Sequence, residues 1–235
     1  MPLSEYHVPF WRQKIARPVM MGGFRLLFHI LAKVVITGQE NVPLGKPYVL
    51  AINHVSTFEA PFVGAFWPEL AEALGAAEVW QRPGQGILAN LYGGIPVHRG
   101  EVDRALFEAA LSVLHSGYPL MMAPEGGRSH TPGMRQAKAG IAIILDEAKV
   151  PIVPVGVVGT TDDFFIKAIQ GKRPTVEMHI GVPFLLPPIA GTGIERREAR
   201  QRNADLVMRH IAGLVPEAYR GVYAANPIFP APSEA

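Results

Sequence analysis

The stretch Tyr48-Val49-Leu50-Ala51-Ile52-Asn53-His54-Val55-Ser56-Thr57-Phe58-Glu59 decides how the rest of the chain is read. Its first five residues are apolar without a break and are bounded by Pro47 and Asn53, which is the length and pattern of a buried strand. A histidine and an acid follow directly. Loops at the carboxyl ends of strands in α/β sheets are the usual place for chemistry, and a histidine supplies a neutral base near neutral pH. A carboxylate at Glu59 can hold one ring nitrogen and leave the other free to accept a proton. The same residues also admit a structural reading, because Ser56-x-x-Glu59 matches a helix capping box. Pro61 favours a helix starting around 59–61 instead, since deeper inside a helix its missing N–H would break a bond.

Working outward, further strands are expected at Ala77–Trp80, Ile95–His98, Pro119–Ala123, Ile152–Val158 and Thr175–Ile180. Helical periodicity fills the gaps. It places Leu106, Ala109, Ala110, Val113 and Leu114 on one face of 103–114, and Ile141, Ile144 and Leu145 on one face of 136–148. A longer amphipathic helix is expected over 196–214. Strands alternating with helices indicate an α/β fold: a single layered domain with a central mixed sheet flanked by helices. That domain spans 38–225, preceded by a helical arm at 1–37 and followed by a flexible tail at 226–235.

The arm holds an apolar run, Val19–Ile36, interrupted by Arg25, His29 and Lys33. A charge at mid-bilayer costs about 2.5–3.5 kcal/mol, which argues against a crossing helix. The three polar residues recur every fourth position and form one stripe, with Phe24, Phe28 and other apolar residues around it. The pattern suits a helix lying in a membrane interface, with Arg17, Phe24, Arg25, Phe28 and Lys33 at the boundary. Five basic residues against Glu5 alone make residues 1–37 attractive to anionic lipid. It equally suits an amphipathic helix packed on its own domain. The first residues lack the apolar core of a signal peptide, so a peripheral place on the cytoplasmic face of a membrane is expected.

Three more clusters carry functional residue types. Gly93-Gly94-Ile95-Pro96-Val97-His98-Arg99-Gly100 sets an arginine at a strand end, and arginine suits bidentate phosphate recognition. Ala123-Pro124-Glu125-Gly126-Gly127-Arg128-Ser129 combines an acid, a glycine pair and a second cation, with Lys138 as a third. Val150-Pro151-Ile152-Val153-Pro154-Val155-Gly156-Val157 has no titratable group and reads as a strand walling the site.

In order and spacing, these clusters resemble the blocks of the glycerolipid acyltransferase family, which includes bacterial 1-acylglycerol-3-phosphate acyltransferases. Asn53-His54-Val55-Ser56 is similar to the family's N-H-x-S block, and Gly94–Arg99 to the block ending in arginine. Glu125-Gly126 with Arg128-Ser129 resembles P-E-G-T-R-S, and Val150–Val157 resembles V-P-I-x-P-V. The chain departs from the pattern at Glu59, Ala123 and Gly127, where the family usually has Asp, Phe and Thr. The resemblance implies transfer of a fatty acyl group from acyl-CoA or acyl carrier protein to a lysophospholipid hydroxyl, most simply that of 1-acylglycerol-3-phosphate. His54 would be the general base and Glu59 its partner. Asn53, Ser56, Arg99, Glu125, Gly126, Gly127, Arg128, Ser129 and Lys138 would contact substrate.

Composition closes off other classes. The formal charge of +2 does not suggest nucleic acid as a partner. The absence of cysteine removes disulfides, thiol nucleophiles and thiolate metal sites. No metal and no resident cofactor is expected, the thioester being a co-substrate. Neither a G-x-x-x-x-G-K-[ST] loop nor a G-x-G-x-x-G turn opening a helix is present, against a nucleotide-binding protein. The remaining alternatives are a thioesterase-like hydrolase using the same base and a non-catalytic lipid-binding protein.

Overall fold

The computed structural model describes residues 6–98 and 104–229. Its sheet contains β1 (Lys33–Thr37), β2 (Val49–Ile52), β3 (Glu72–Ala76), β4 (Ile95–Val97), β5 (Leu120–Met122), β6 (Ile152–Val158) and β7 (Thr175–Ile180). They lie in the order β1-β7-β6-β2-β5-β3-β4. All neighbours are parallel except β6 and β7, so the sheet is mixed, as expected. Around it stand α1 (Arg17–Leu31), α2 (Glu59–Phe66), α3 (Gln85–Tyr92), α4 (Arg104–His115), α5 (Gly140–Ala148), α6 (Phe164–Ile169), α7 (Gly193–Gly213) and α8 (Glu217–Arg220).

Strand β2 sits at the centre with every residue buried. Successive strand side chains point to opposite faces. Val49 and Ala51 therefore enter a core shared with α4, α5 and α7, while Leu50 and Ile52 enter one shared with α1, α2 and α6. Helices on both faces explain why the strand is apolar without alternation. On β6, Gly156 leaves room for α7's carboxyl end: an added Cβ would lie 2.7 Å from Val215 and 2.9 Å from Leu214.

The arm departs from the expected single helix. Helix α1 stops at Leu31, where Arg173 Nη2 donates to the carbonyls of His29 and Ala32 at 2.9 and 3.3 Å. A cation at a helix carboxyl end satisfies its orphan carbonyls. Lys33–Thr37 then pairs with β7 as an edge strand, alternating exposed and half-buried residues. The four-residue recurrence of Arg25, His29 and Lys33 masked this period of two. The last five residues of the expected arm thus belong to the sheet.

Arg25, His29 and Lys33 of the arm's polar stripe are exposed, although Arg25 also reaches the domain, and Arg17 outside the stripe is buried. Arg17 is 1% exposed, and both oxygens of buried Glu72 accept from its guanidinium, Nη2 to Oε2 at 2.7 Å. Arg17 Nε donates to the Tyr92 carbonyl at 2.7 Å, and the Tyr6 hydroxyl donates to Glu72 Oε2 at 2.6 Å. Arg25 donates through Nε and Nη2 to the Ala65 carbonyl. Phe28 is buried against Phe62, Phe66 and Phe164. Phe24 is half-buried, and Lys33 is exposed on β1. Apolar residues of the arm are exposed as well: Ile15, Val19, Leu26, Leu27 and Ile30. Among the described residues no helix is long and apolar enough to cross a membrane.

Two smaller differences have clear causes. The strand expected at Ala77–Trp80 is a 3₁₀ helix, Ala77–Gln81, and the true strand is β3 just before it. An acid at its first position, Glu72, conceals it, because only the distant Arg17 makes burial tolerable. The expected tail is docked at its start: Ile228 N–H donates to the Arg209 carbonyl at 2.8 Å, and Arg209 Nε to the Asn226 carbonyl at 2.8 Å. Arg99 and Asp103 lie outside the described residues.

Breaking a buried ion pair leaves an uncompensated charge, at a cost of about 3–5 kcal/mol. Glu72→Ala should lower the unfolding free energy by about that amount. The paired replacement Arg17→Met with Glu72→Leu should restore most of it, as read by urea unfolding.

Candidate active site

Beyond β2 the chain turns sharply, and that turn is pinned from three sides. Asn53 is wholly buried, its side-chain amide donating to the Val157 carbonyl at 2.9 Å and accepting from Val157 N–H at 2.7 Å. This locks the loop onto β6. His54 N–H donates to Glu125 Oε1 at 2.7 Å, and the His54 carbonyl accepts from Ser129 N–H at 2.9 Å. The loops after β2 and β5 are thereby stitched together.

The His54 ring is partly open, its side chain 23% exposed, and its Nδ1 lies 3.1 Å from Glu59 Oε2. A carboxylate can only accept, so this contact puts the hydrogen on Nδ1 and leaves the Nε2 lone pair for another proton. Among the described residues no protein group is hydrogen-bonded to Nε2. Glu59, at the first residue of α2, is wholly buried. Its Oε1 accepts from Ser56 N–H at 2.8 Å and from the Thr160 hydroxyl at 2.9 Å. The helix starts at Glu59 with Phe58 as its N-cap, as Pro61 favours, so Ser56 is not a capping residue; one oxygen of Glu59 ties back to Ser56 N–H and the other supports the histidine.

Glu125 is buried as well, and its Oε2 accepts from Arg135 N–H at 2.7 Å. Burial pushes its pKa from the ordinary 4.5 up to about 7, although the Arg135 and His54 amides and the nearby His54 side chain act in the other direction.

Three residues expected to touch substrate are bonded to the backbone through their side chains. Asn53, Ser56 and Glu125 spend their side chains on backbone groups, with Ser56 Oγ donating to the Thr160 carbonyl and accepting from Phe58 N–H at 3.0 Å. Buried polar groups must be satisfied, and here the backbone satisfies them. The remaining residues of the third cluster line the loop beside His54. Gly126 has φ +66° and an exposed backbone, an orientation available to glycine. Gly127 is buried, while Arg128 and Ser129 are half-buried. Ser129 Oγ donates to the Thr131 carbonyl. Lys138 is exposed, its N–H donating to the Pro124 carbonyl at 2.8 Å. Arg128 and Lys138 thus leave two cationic side chains on the loops flanking the histidine. Thr160, one residue past Gly159 at the end of β6, was invisible in the sequence because its link to Glu59 spans 101 positions. Among the described residues no cluster of potential metal ligands occurs.

A family model described as Acyltransferase matches residues 33–158, more than half of the chain. The chain belongs to the acyltransferase family. The chain is 28% identical over 165 residues to 1-acyl-sn-glycerol-3-phosphate acyltransferase alpha of Homo sapiens, covering 69% of this chain and 56% of that one. It is 29% identical over 174 residues to the lyso-ornithine lipid O-acyltransferase of Pseudomonas aeruginosa, covering 66% and 65%. The chain thus spans little more than half the length of the mammalian relatives it matches. Its fold is that of the 1-acyl-sn-glycerophosphate acyltransferase PlsC of Thermotoga maritima, with TM-score 0.59 at 21% identity over 83% of this chain and 79% of that one.

Between the ordinary carboxyl range and about 7, the unfolded chain has released the Glu125 proton while the folded one keeps it. Raising the pH through that window removes stability, and above it the contribution is constant. Urea unfolding of wild type and Glu125→Gln should show the wild-type advantage shrinking from about pH 4.5 to about pH 7, then levelling off.

Proposed function

We propose that this chain transfers a fatty acyl group from a thioester, acyl-CoA or acyl carrier protein, to the free hydroxyl of a lysophospholipid. The observation that carries the reading is the His54–Glu59 pair, with Nδ1 held and Nε2 open. His54 Nε2 takes the hydroxyl proton as the oxygen attacks the thioester carbonyl. The tetrahedral intermediate collapses with cleavage of the carbon–sulfur bond, and the imidazolium returns the proton to the departing thiolate. The products are an ester and a free thiol, and no acyl-enzyme is needed. Glu59 keeps the imidazole in the required tautomer and stabilises its charged form.

The cations support a phosphate-bearing substrate over water. Water needs no anchor, whereas a phosphate-bearing acceptor or the donor's phosphates would be drawn to Arg128 and Lys138. Arg99 would add to them. We take 1-acylglycerol-3-phosphate as the acceptor, in keeping with the activity for which the Homo sapiens relative is named. The lyso-ornithine relative makes an amino-acid lipid the informative competitor.

Labelled acyl-CoA should give phosphatidic acid when 1-acylglycerol-3-phosphate is supplied and little free acid when it is not. His54→Ala should lower kcat by about 10²–10⁴-fold, the usual contribution of a general base, with KM little changed. Free fatty acid as the main product in both mixtures would make the enzyme a hydrolase.

Both lipids reside in bilayers, and the arm offers a surface for one. Ile15, Val19, Leu26 and Ile30 form an exposed apolar ridge at helical spacing, with Trp11, 47% exposed, near its start. Arg12 lies over the Trp11 ring at 5.2 Å, and Lys14 is exposed beside it. An apolar ridge bordered by aromatic and cationic side chains suits the bilayer boundary. Changing the four ridge residues to serine should sharply reduce co-flotation with anionic vesicles and leave the unfolding midpoint nearly unchanged. Equal flotation of the variant would place the lipid surface elsewhere.

A further inference from the structure

The acid partner of His54 is a glutamate, whose side chain has one more rotatable bond than an aspartate's. An extra torsion lets the carboxylate swing, and a swinging carboxylate neither aims the imidazole nor fixes its tautomer. Something must hold it.

Of the three donors on Glu59, Ser56 N–H is local and comes with the turn itself. The Thr160 hydroxyl is different. It arrives from the end of β6, across the sheet, and lies 2.9 Å from Oε1, the oxygen that does not face the histidine. Thr160 is 1% exposed, so its single hydroxyl hydrogen is committed to Glu59 without competition from solvent. The backbone builds this placement. Gly159 turns the chain with φ +85°, in close contact with Thr175, whose carbonyl oxygen would lie 2.1 Å from an added Cβ. Gly159 N–H is held by the Tyr219 hydroxyl at 3.0 Å. The Thr160 carbonyl in turn accepts from Ser56 Oγ, so the β6 end and the histidine loop grip each other through two separate bonds.

We propose that Thr160 is a positioning residue for acyl transfer, acting through Glu59 on the aim and tautomer of His54. Two donors on Oε1 fix the plane of the carboxylate, and that leaves Oε2 directed at Nδ1. The inference rests on the His54 mechanism proposed above. The backbone half of the grip does not depend on the side chain, so removing the hydroxyl tests the positioning role alone.

Thr160→Val keeps the shape and the backbone carbonyl but removes the hydroxyl. Its kcat should fall about tenfold, as expected for one lost bond to a charged group, with KM for donor and acceptor within about twofold of wild type. Thr160→Ser should recover most of the loss. In a Glu59→Ala background, Thr160→Val should cause no further loss, because the residue it acts through is gone. Unchanged kcat in Thr160→Val, or the same tenfold loss with and without Glu59, overturns the proposal. If Thr160→Val does not fold, as judged by circular dichroism, Thr160→Ala takes its place against Thr160→Ser with the same criteria. His54→Ala measured in parallel separates the two levels. Full transfer without His54 sinks the mechanism itself, whereas loss of transfer there with full transfer in Thr160→Val sinks only the role of Thr160.

Discussion

A carboxylate taken out of water has to be given donors, and among the described residues three are buried. Glu59, Glu72 and Glu125 are each 1% exposed or less. Each accepts from groups far apart in sequence, and so each works as a cross-link. Glu72 joins the arm to β3 through Arg17 and Tyr6. Glu125 joins the histidine loop to the loop carrying Arg135. Glu59 joins the histidine to the end of β6. Glu59 and Glu125 thus hold the loops at the carboxyl ends of β2, β5 and β6 in one arrangement, while Glu72 fixes the arm to the opposite end of β3.

Burial gives the three acids different characters because their donors differ. Glu72 faces a full positive charge in a bidentate contact. Glu125 has only backbone amides as direct partners, and burial outweighs them. Glu59 shares its oxygens between a structural bond and a chemical one, so the helix start and the base are set by the same side chain.

Much of this was legible in the sequence where the signal was local. The unbroken apolar run of β2, the histidine behind it and the periodic faces of α4, α5 and α7 are features of neighbouring residues. The contact of Glu59 with His54, read from a carboxylate five residues after the histidine, is present. What escaped was long-range. Nothing near Glu72 announces that Arg17 will neutralise it, so β3 was displaced to the apolar residues that follow. The residues Asn53, Ser56 and Glu125 have polar side chains in a reactive loop, and sequence alone cannot separate a group that meets substrate from one that ties down backbone. Of the arm residues expected at a boundary, Arg17 and Phe28 are buried, Arg17 by a partner 55 positions away that no local pattern announces.

Helix α2 is a short strut with a different attachment at each end. Its first residue, Glu59, supports the histidine, while the Ala65 carbonyl, one residue before its last, is grasped by Arg25 of α1. Six intervening steps of about 1.5 Å give a span of about 9 Å. Whatever plane the outer ridge of α1 rests upon is consequently kept at a set tilt and height relative to the imidazole, like a plough blade bolted to its depth wheel. A lipid alcohol would then be met at one level in the bilayer, and selectivity among acceptors would follow from how far each headgroup lifts its hydroxyl above the acyl region.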